Sequence, residues 1–175
     1  MKKLLVITLA LMMLVAVASC SKKPADNPVG EQPAPEKVEE NLNLTPAGKL
    51  LAEFKKLVKE DKNATTESIA TKLSENEIFP FFVAPMPIQE GYLSGFSKDI
   101  VGFKDSHIIM PMIGSIPFVS YVFELEDGAD VDAFVETLKD NANMRWLVCV
   151  TAEEIVCEKE GNLVFFCMAK TSFAE

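Results

Sequence analysis

The chain has little of the chemistry on which most enzymes rely. It holds one histidine, one tryptophan and two tyrosines in 175 residues. A general base needs a positioned partner, and a metal centre needs several ligands. A lone His107 at the start of an apolar run therefore reads first as a surface or hydrogen-bonded residue. Its isolation nearly excludes a Ser–His or Cys–His nucleophile pair elsewhere in the chain. Glycine is scarce, eight in all. The stretch Gly91-Tyr92-Leu93-Ser94-Gly95-Phe96-Ser97 lacks the G-x-G-x-x-G order and the Lys-Ser/Thr ending of a phosphate cradle. No G-x-S-x-G surrounds Ser94 or Ser97. Basic residues are outnumbered, 17 against 26 acids, so no electrostatic footprint for nucleic acid exists.

Cysteine is also sparse. Beyond Cys20 there are Cys149, Cys157 and Cys167, and three cannot all pair within one chain. The simplest reading is three small buried apolar side chains with inert thiols. One disulfide plus a free thiol is the alternative. A metal site fits poorly, because no C-x-x-C occurs and histidine is single.

What is present begins at the N-terminus. Lys2 and Lys3 precede an apolar run from Leu4 to Val17, which closes on Val17-Ala18-Ser19-Cys20. A basic start, a short apolar core and small residues at the cut make a secretory signal. The run is short for a retained membrane span, which needs about 20 apolar residues. Cleavage by the general peptidase, leaving a free Cys20 thiol, is the third reading. The cysteine directly after aliphatic-Ala-Ser resembles a bacterial lipobox. That resemblance implies cleavage between Ser19 and Cys20, and a diacylglycerol on the Cys20 sulfur. It places the protein on the extracytoplasmic face of a cell membrane, held by lipid. One acyl chain holds marginally and two hold stably. Losing residues 1–20 removes two lysines and no acid, which takes the net charge from −9 to −11.

Residues 21–44 place Pro24, Pro28, Pro33 and Pro35 among charges and small residues. Such a segment buries too little apolar surface to fold. Extended, it reaches up to ~70 Å at about 3.1 Å per residue. The expected organisation is a leader at 1–19, a lipidated cysteine and tether at 20–44, and one globular domain at 45–175.

Within that domain, Thr45-Pro46 starts a helix bearing Leu50, Leu51, Phe54, Leu57 and Val58 at helical spacing. Thr66 is the expected cap of a second, shorter helix. The stretch 78–88 is strongly apolar but carries three prolines, so it reads as an edge strand or extended arm. Residues 107–112 and 117–125 form a hairpin about Gly114-Ser115. An acidic turn at 127–130 opens a helix striped by Val131, Phe134, Val135 and Leu138. Arg145 to Val150 is an apolar connection or short strand. A second hairpin turns at Glu160-Gly161, with Cys157 and Cys167 on opposite sides of the sheet. The expected class is α+β: two layers, an antiparallel-rich sheet of about four or five strands, and helices packed on one face. The ββαββ order is similar to ferredoxin-like arrangements.

The lipobox, the proline-rich spacer and the run FVSYVFELEDGADVDAFVETLKDN at 118–141 together resemble a class of short bacterial lipoproteins. That class has a small α+β domain without an assigned activity, and it supplies no catalytic residues.

Two clusters stand out as candidate sites. Phe81, Phe82, Met86, Tyr92, Met110 and Met112, interleaved with prolines, would form an adaptable apolar surface if exposed together. The bland reading is that they fill the core. Asp127, Asp130 and Asp132 lie in a wider acidic run and could offer oxygen ligands to Ca²⁺. The spacing is not that of an EF-hand, and acids are ordinary at a helix start. The reading that results is a lipid-anchored, non-enzymatic binding module of the cell envelope, meeting an envelope protein or a hydrophobic small ligand. The alternative is an envelope enzyme or Ca²⁺ protein built on acids 124–136. No cofactor beyond the lipid is expected.

Overall fold

The computed structural model describes residues 44–173 of the chain. The expected leader, Cys20 and nearly all of the tether lie outside the described residues. Three helices and seven strands make up the remainder. They are α1 (Pro46–Glu60), α2 (Thr66–Ser74), β1 (Val83–Pro87), β2 (Gly91–Tyr92), β3 (Asp99–Ile100), β4 (Asp105–Pro111), β5 (Val119–Glu124), α3 (Val131–Asn141), β6 (Glu154–Glu160) and β7 (Leu163–Ala169).

The protein is α+β. One antiparallel sheet has five strands in the order β1-β4-β5-β7-β6, and three helices pack against it. Side chains alternate along a strand, and the central strands feed two separate cores. Val119, Tyr121 and Phe123 of β5, with Val164, Phe166 and Met168 of β7, pack with Phe134, Val135 and Leu138 of α3. Val122 of β5, with Leu163, Phe165 and Cys167 of β7, packs with Leu50 and Phe54 of α1 and Ile69 and Leu73 of α2. The two-layer arrangement of sheet and helices thus holds for the face carrying α1 and α2. The expectation put all helices on that face. Instead α3 lies on the other, because both parities of β5 and β7 are apolar and each face needs cover. The segment between β1 and β4 completes that cover with Leu93, Phe96, Ile100 and Phe103, all buried. Gly95 makes this close approach possible. Its φ of +90° is closed to most side chains, and a Cβ there would sit 2.6 Å from Met168 Cε. The Tyr121 hydroxyl donates to the Ser94 carbonyl at 2.7 Å and fixes the same loop.

The β5–α3–β6 unit encloses β7 between its two strands, which is a split βαβ. This unit is the ferredoxin-like part of the topology. The fourth strand, β4, enters through a hairpin with β5 rather than through a second helix.

Local chemistry explains most boundaries. Thr45 caps α1, accepting from the Gly48 amide at 3.2 Å, and Pro46 follows at the first turn. For α2 the cap is Thr65, one residue earlier than expected. Thr65 and Ser68 exchange side-chain and backbone bonds as a capping box. Thr66 is thereby freed to point inward. The second hairpin turns at Gly161-Asn162, since Glu160 pairs with Leu163. The expected register was off by two, which preserves the face of every side chain. Cys157 and Cys167 accordingly lie in opposite cores.

As an edge strand, β1 fits its prolines. The Met112 amide donates to the Phe82 carbonyl and the Ile88 amide to the Ser106 carbonyl. Even-numbered residues of β1 therefore turn their backbone groups toward β4. Val83, Pro85 and Pro87 face outward, and two of these three have no N–H to offer another strand.

Candidate functional site

The register defines two ends of the sheet. One end gathers the start of β1, the end of β4, the start of β5, the start of β6 and the end of β7. It also receives the start of α1, because the Ala47 amide donates to Glu154 at 3.3 Å. The other end carries the acidic turn after β5, the 161–162 turn, and the start of α2.

At the first end, four rings pack together. Phe79 lies 5.0 Å from Phe118 and 5.7 Å from Phe81, and Phe173 lies 5.0 Å from Phe81. Phe118 is fully buried and forms the floor. Phe79, Phe81 and Phe173 are half-buried. Above them lies an open groove with a cavity volume of about 770 Å³, lined by Pro80, Phe81, Ile116, Pro117 and Phe173, with Lys170 at its side. Its volume falls within the range of small-ligand sites, although it is open to solvent. A smaller recess of about 360 Å³ shares Pro80 and Phe173 and includes Leu44, the first described residue.

The six residues singled out in the sequence divide into three groups. Phe82 and Met86 on the β1 side, and Met110 and Met112 on the β4 side, share one face, the face of α3. Met86 and Met110 are half-buried against that core, whereas Phe82 and Met112 stand exposed. Phe81 turns to the opposite face and into the ring cluster. Tyr92 follows β1 rather than preceding it, pairs with Asp99 in the separate β2–β3 ladder, and is exposed. The structure therefore does not bring Phe81 and Tyr92 into one groove. Five residues of β1, at about 3.3 Å each, separate the two.

The acidic run is used by the fold. Asp130 caps α3, accepting from the Ala133 amide at 3.0 Å. Asp132 pairs with Lys159, and Glu124 pairs with Lys104 at 2.9 Å. The Glu124 carboxylate raises the Lys104 pKa, first by its hydrogen bond and then by its charge. Asp127, Asp130 and Asp132 do not converge. Among the described residues no group of three His, Cys, Asp or Glu is placed to hold a metal ion.

His107 is not a surface residue. It is buried on the α2 side of β4, with its Nδ1 at 2.9 Å from Thr66 Oγ1. The Thr66 hydroxyl also bonds Asp105 Oδ2. A hydroxyl has one hydrogen, and a carboxylate only accepts. Thr66 donates to Asp105, so the imidazole must donate to Thr66, which fixes the hydrogen on Nδ1. A hydroxyl beside an imidazole and a carboxylate is the raw material of nucleophilic catalysis. Thr66 has no exposed surface, however, so no substrate reaches it. The trio fastens the start of α2 to β4. Its signal in the sequence was the Asp105-Ser106-His107 alternation, which placed two polar side chains on one face of an otherwise apolar strand.

The thiols divide as well. Cys157 and Cys167 are buried and unpaired, as the simple reading held. Burial pushes the Cys157 pKa up to about 12 and that of Cys167 well above its ordinary value. Cys149 is exposed, contrary to expectation. It lies in the connection after α3, where no strand forms and Val148 adopts a positive φ of 61°.

No protein-family model, curated protein or solved structure matches this chain. Among the described residues no helix is long and apolar enough to cross a membrane.

Proposed function

We propose that this chain is a lipid-anchored, extracytoplasmic binding module that performs no chemistry of its own, and that its recognition site is the aromatic groove beside Phe81. The groove carries the reading. Its lining is mainly apolar and aromatic, its volume suits a drug-sized or fatty ligand, and among the described residues Lys170, paired with Glu153 at 3.7 Å, is its single ionisable lining residue. His107, Thr66, Cys157 and Cys167 lie elsewhere and are buried, and the exposed Cys149 lies in the connection after α3, outside the groove lining. The ligand that fits is an apolar small molecule with a polar or anionic end for Lys170. Anchoring rests on the lipobox resemblance at residues 17–20, with the diacylglycerol carried by Cys20.

One experiment examines both parts. Native protein extracted gently from cell envelopes is weighed intact, first under non-denaturing and then under denaturing conditions. The expected masses are those of a chain beginning at a diacylated Cys20, with a further apolar molecule retained only in the non-denatured sample. The Phe81→Glu variant should lose that molecule and keep the lipid. An unmodified thiol at Cys20 overturns the anchor, and an empty wild-type groove overturns the binding site.

A further inference from the structure

Exposed apolar side chains scattered singly are ordinary. Here they are not scattered. Of eight large apolar residues with substantial exposure among the described residues, Leu44, Phe82, Met112, Ile113 and Val148 all fall at the end of the sheet that carries Leu44. Ile113 is 83 % exposed and Phe82 73 %. The β4–β5 ladder closes at Ile109 and Ser120, and Met112 to Ser115 stand exposed past the last pair as a tip, with Ile116 and Pro117 turning back into the domain. The turn sequence at that tip is Met-Ile-Gly-Ser-Ile-Pro, apolar where hairpin turns are ordinarily polar. Val148 reaches the same end through the connection to β6, which the Ala152–Met144 and Glu153–Ala169 backbone bonds hold there.

Charge is divided in the opposite sense. Glu124, Glu126, Asp127, Asp130 and Glu160 lie at the far end, against Lys104 and Lys159. Lys49, Arg145 and Lys170 lie toward the apolar end, where Glu77, Glu153 and Glu154 offset them and Glu153 pairs with Lys170 at 3.7 Å. The near end is thus close to neutral, and an anionic surface would repel the far end more strongly.

We infer that the apolar end is a second membrane contact, and that the tip formed by Phe82, Met112 and Ile113 inserts into the interfacial region of a lipid bilayer. Two features select a bilayer over a protein strand or a second copy added edge to edge. The chain leaves the domain at Leu44, on this same end, so any attachment through residues 20–43 begins from the side that carries the tip. The neighbouring edge strand, β1, turns two prolines outward and cannot extend the sheet. Shallow insertion of a few apolar side chains, at an end without excess negative charge, is compatible with interfacial binding. It would set the groove mouth at the membrane surface, within reach of an apolar ligand dissolved there.

The proposal takes its membrane from the anchored reading, but its test does not need native lipidation. The mature chain with Cys20→Ser is tethered by an N-terminal hexahistidine tag to vesicles of phosphatidylethanolamine and phosphatidylglycerol containing a nickel-chelating lipid. Tryptophan is introduced by Ile113→Trp or, at a distant exposed site, by Val101→Trp, each in a Trp146→Phe background. The expected result is a blue shift and at least threefold quenching by acyl-brominated lipid at position 113, with neither at position 101. Amide exchange of the unsubstituted tethered chain gives a readout free of those variants. It should slow at 111–117 on vesicles and stay unchanged at 124–130. An unquenched position 113, or equal exchange on and off vesicles, overturns the proposal. So does protection of 111–117 by an envelope protein but not by lipid. An unmodified Cys20 in cells would sink the anchor and leave these outcomes readable.

Discussion

The two ends of the sheet are built on different terms. At the acidic end, charged side chains are tied to the fold: Asp130 caps α3, Glu124 holds Lys104, Asp132 holds Lys159, and Asp105 holds Thr66. At the apolar end, the rings beneath the surface are packed, but Phe82, Met112 and Ile113 extend into solvent. The difference shows which exposed residues need a functional explanation. Carboxylates that cap helices and pair with lysines are accounted for by stability. Large apolar side chains held out on a hairpin tip are not.

Substitutions can break or sharpen this contrast. The largest effect belongs to the ring floor. Phe118→Ala should lower unfolding free energy by about 3–5 kcal/mol, because Phe118 is fully buried against Phe79, Phe81 and Phe173. Denaturant titration measures it. A loss below about 1 kcal/mol would mean that the cluster is loosely packed. Next is Thr66→Val, which leaves His107 and Asp105 without their shared hydroxyl. A cost of about 1–3 kcal/mol is expected from the unsatisfied partners, again by denaturant titration. At the acidic end, Asp130→Ala should cost about 1 kcal/mol by loss of the α3 cap, read as a lowered melting temperature.

The smallest effect on stability is the most informative for function. Ile113→Glu and Phe82→Glu should change stability by no more than about 0.5 kcal/mol, as surface changes usually do. A larger loss would mean that the tip is part of the fold after all. Thiol labelling adds a check on the interior. Only Cys149 should react quickly in the native Cys20→Ser chain, with Cys157 and Cys167 reacting on unfolding.

Much of the fold was legible in the sequence because periodicity is a local signal. The apolar stripes of α1 and α3, the alternation along β5 and the edge character of β1 each arise from neighbours a few residues apart. The placement of α3 required knowing that both faces of β5 and β7 are apolar, and Val122, Phe165 and Cys167 carried that information. The turn at Gly161-Asn162 was missed by one position, because either dipeptide pair around Gly161 satisfies the turn chemistry.

The site was legible only in part. The Met-rich face could be read once β1 and β4 were both seen as strands, since Met86, Met110 and Met112 share parity across the pair. Tyr92 could not be excluded without knowing that β1 separates it from Phe81. The contributions of Phe173 and Lys170 depend on β7 returning to the same end, which is a long-range fact. The inward turn of Thr66 depends on Thr65 winning the cap, a competition between adjacent threonines that spacing alone does not decide.

The most direct measurement of the contrast between the two ends is site-specific photocrosslinking in living cells. Benzoylphenylalanine is placed at position 113 or at position 127 of the otherwise unaltered chain. The expected result is crosslinking to phospholipid from position 113 and none from position 127. Equal lipid labelling at both positions, or protein adducts without lipid at position 113, would contradict a domain that meets the membrane through its apolar end.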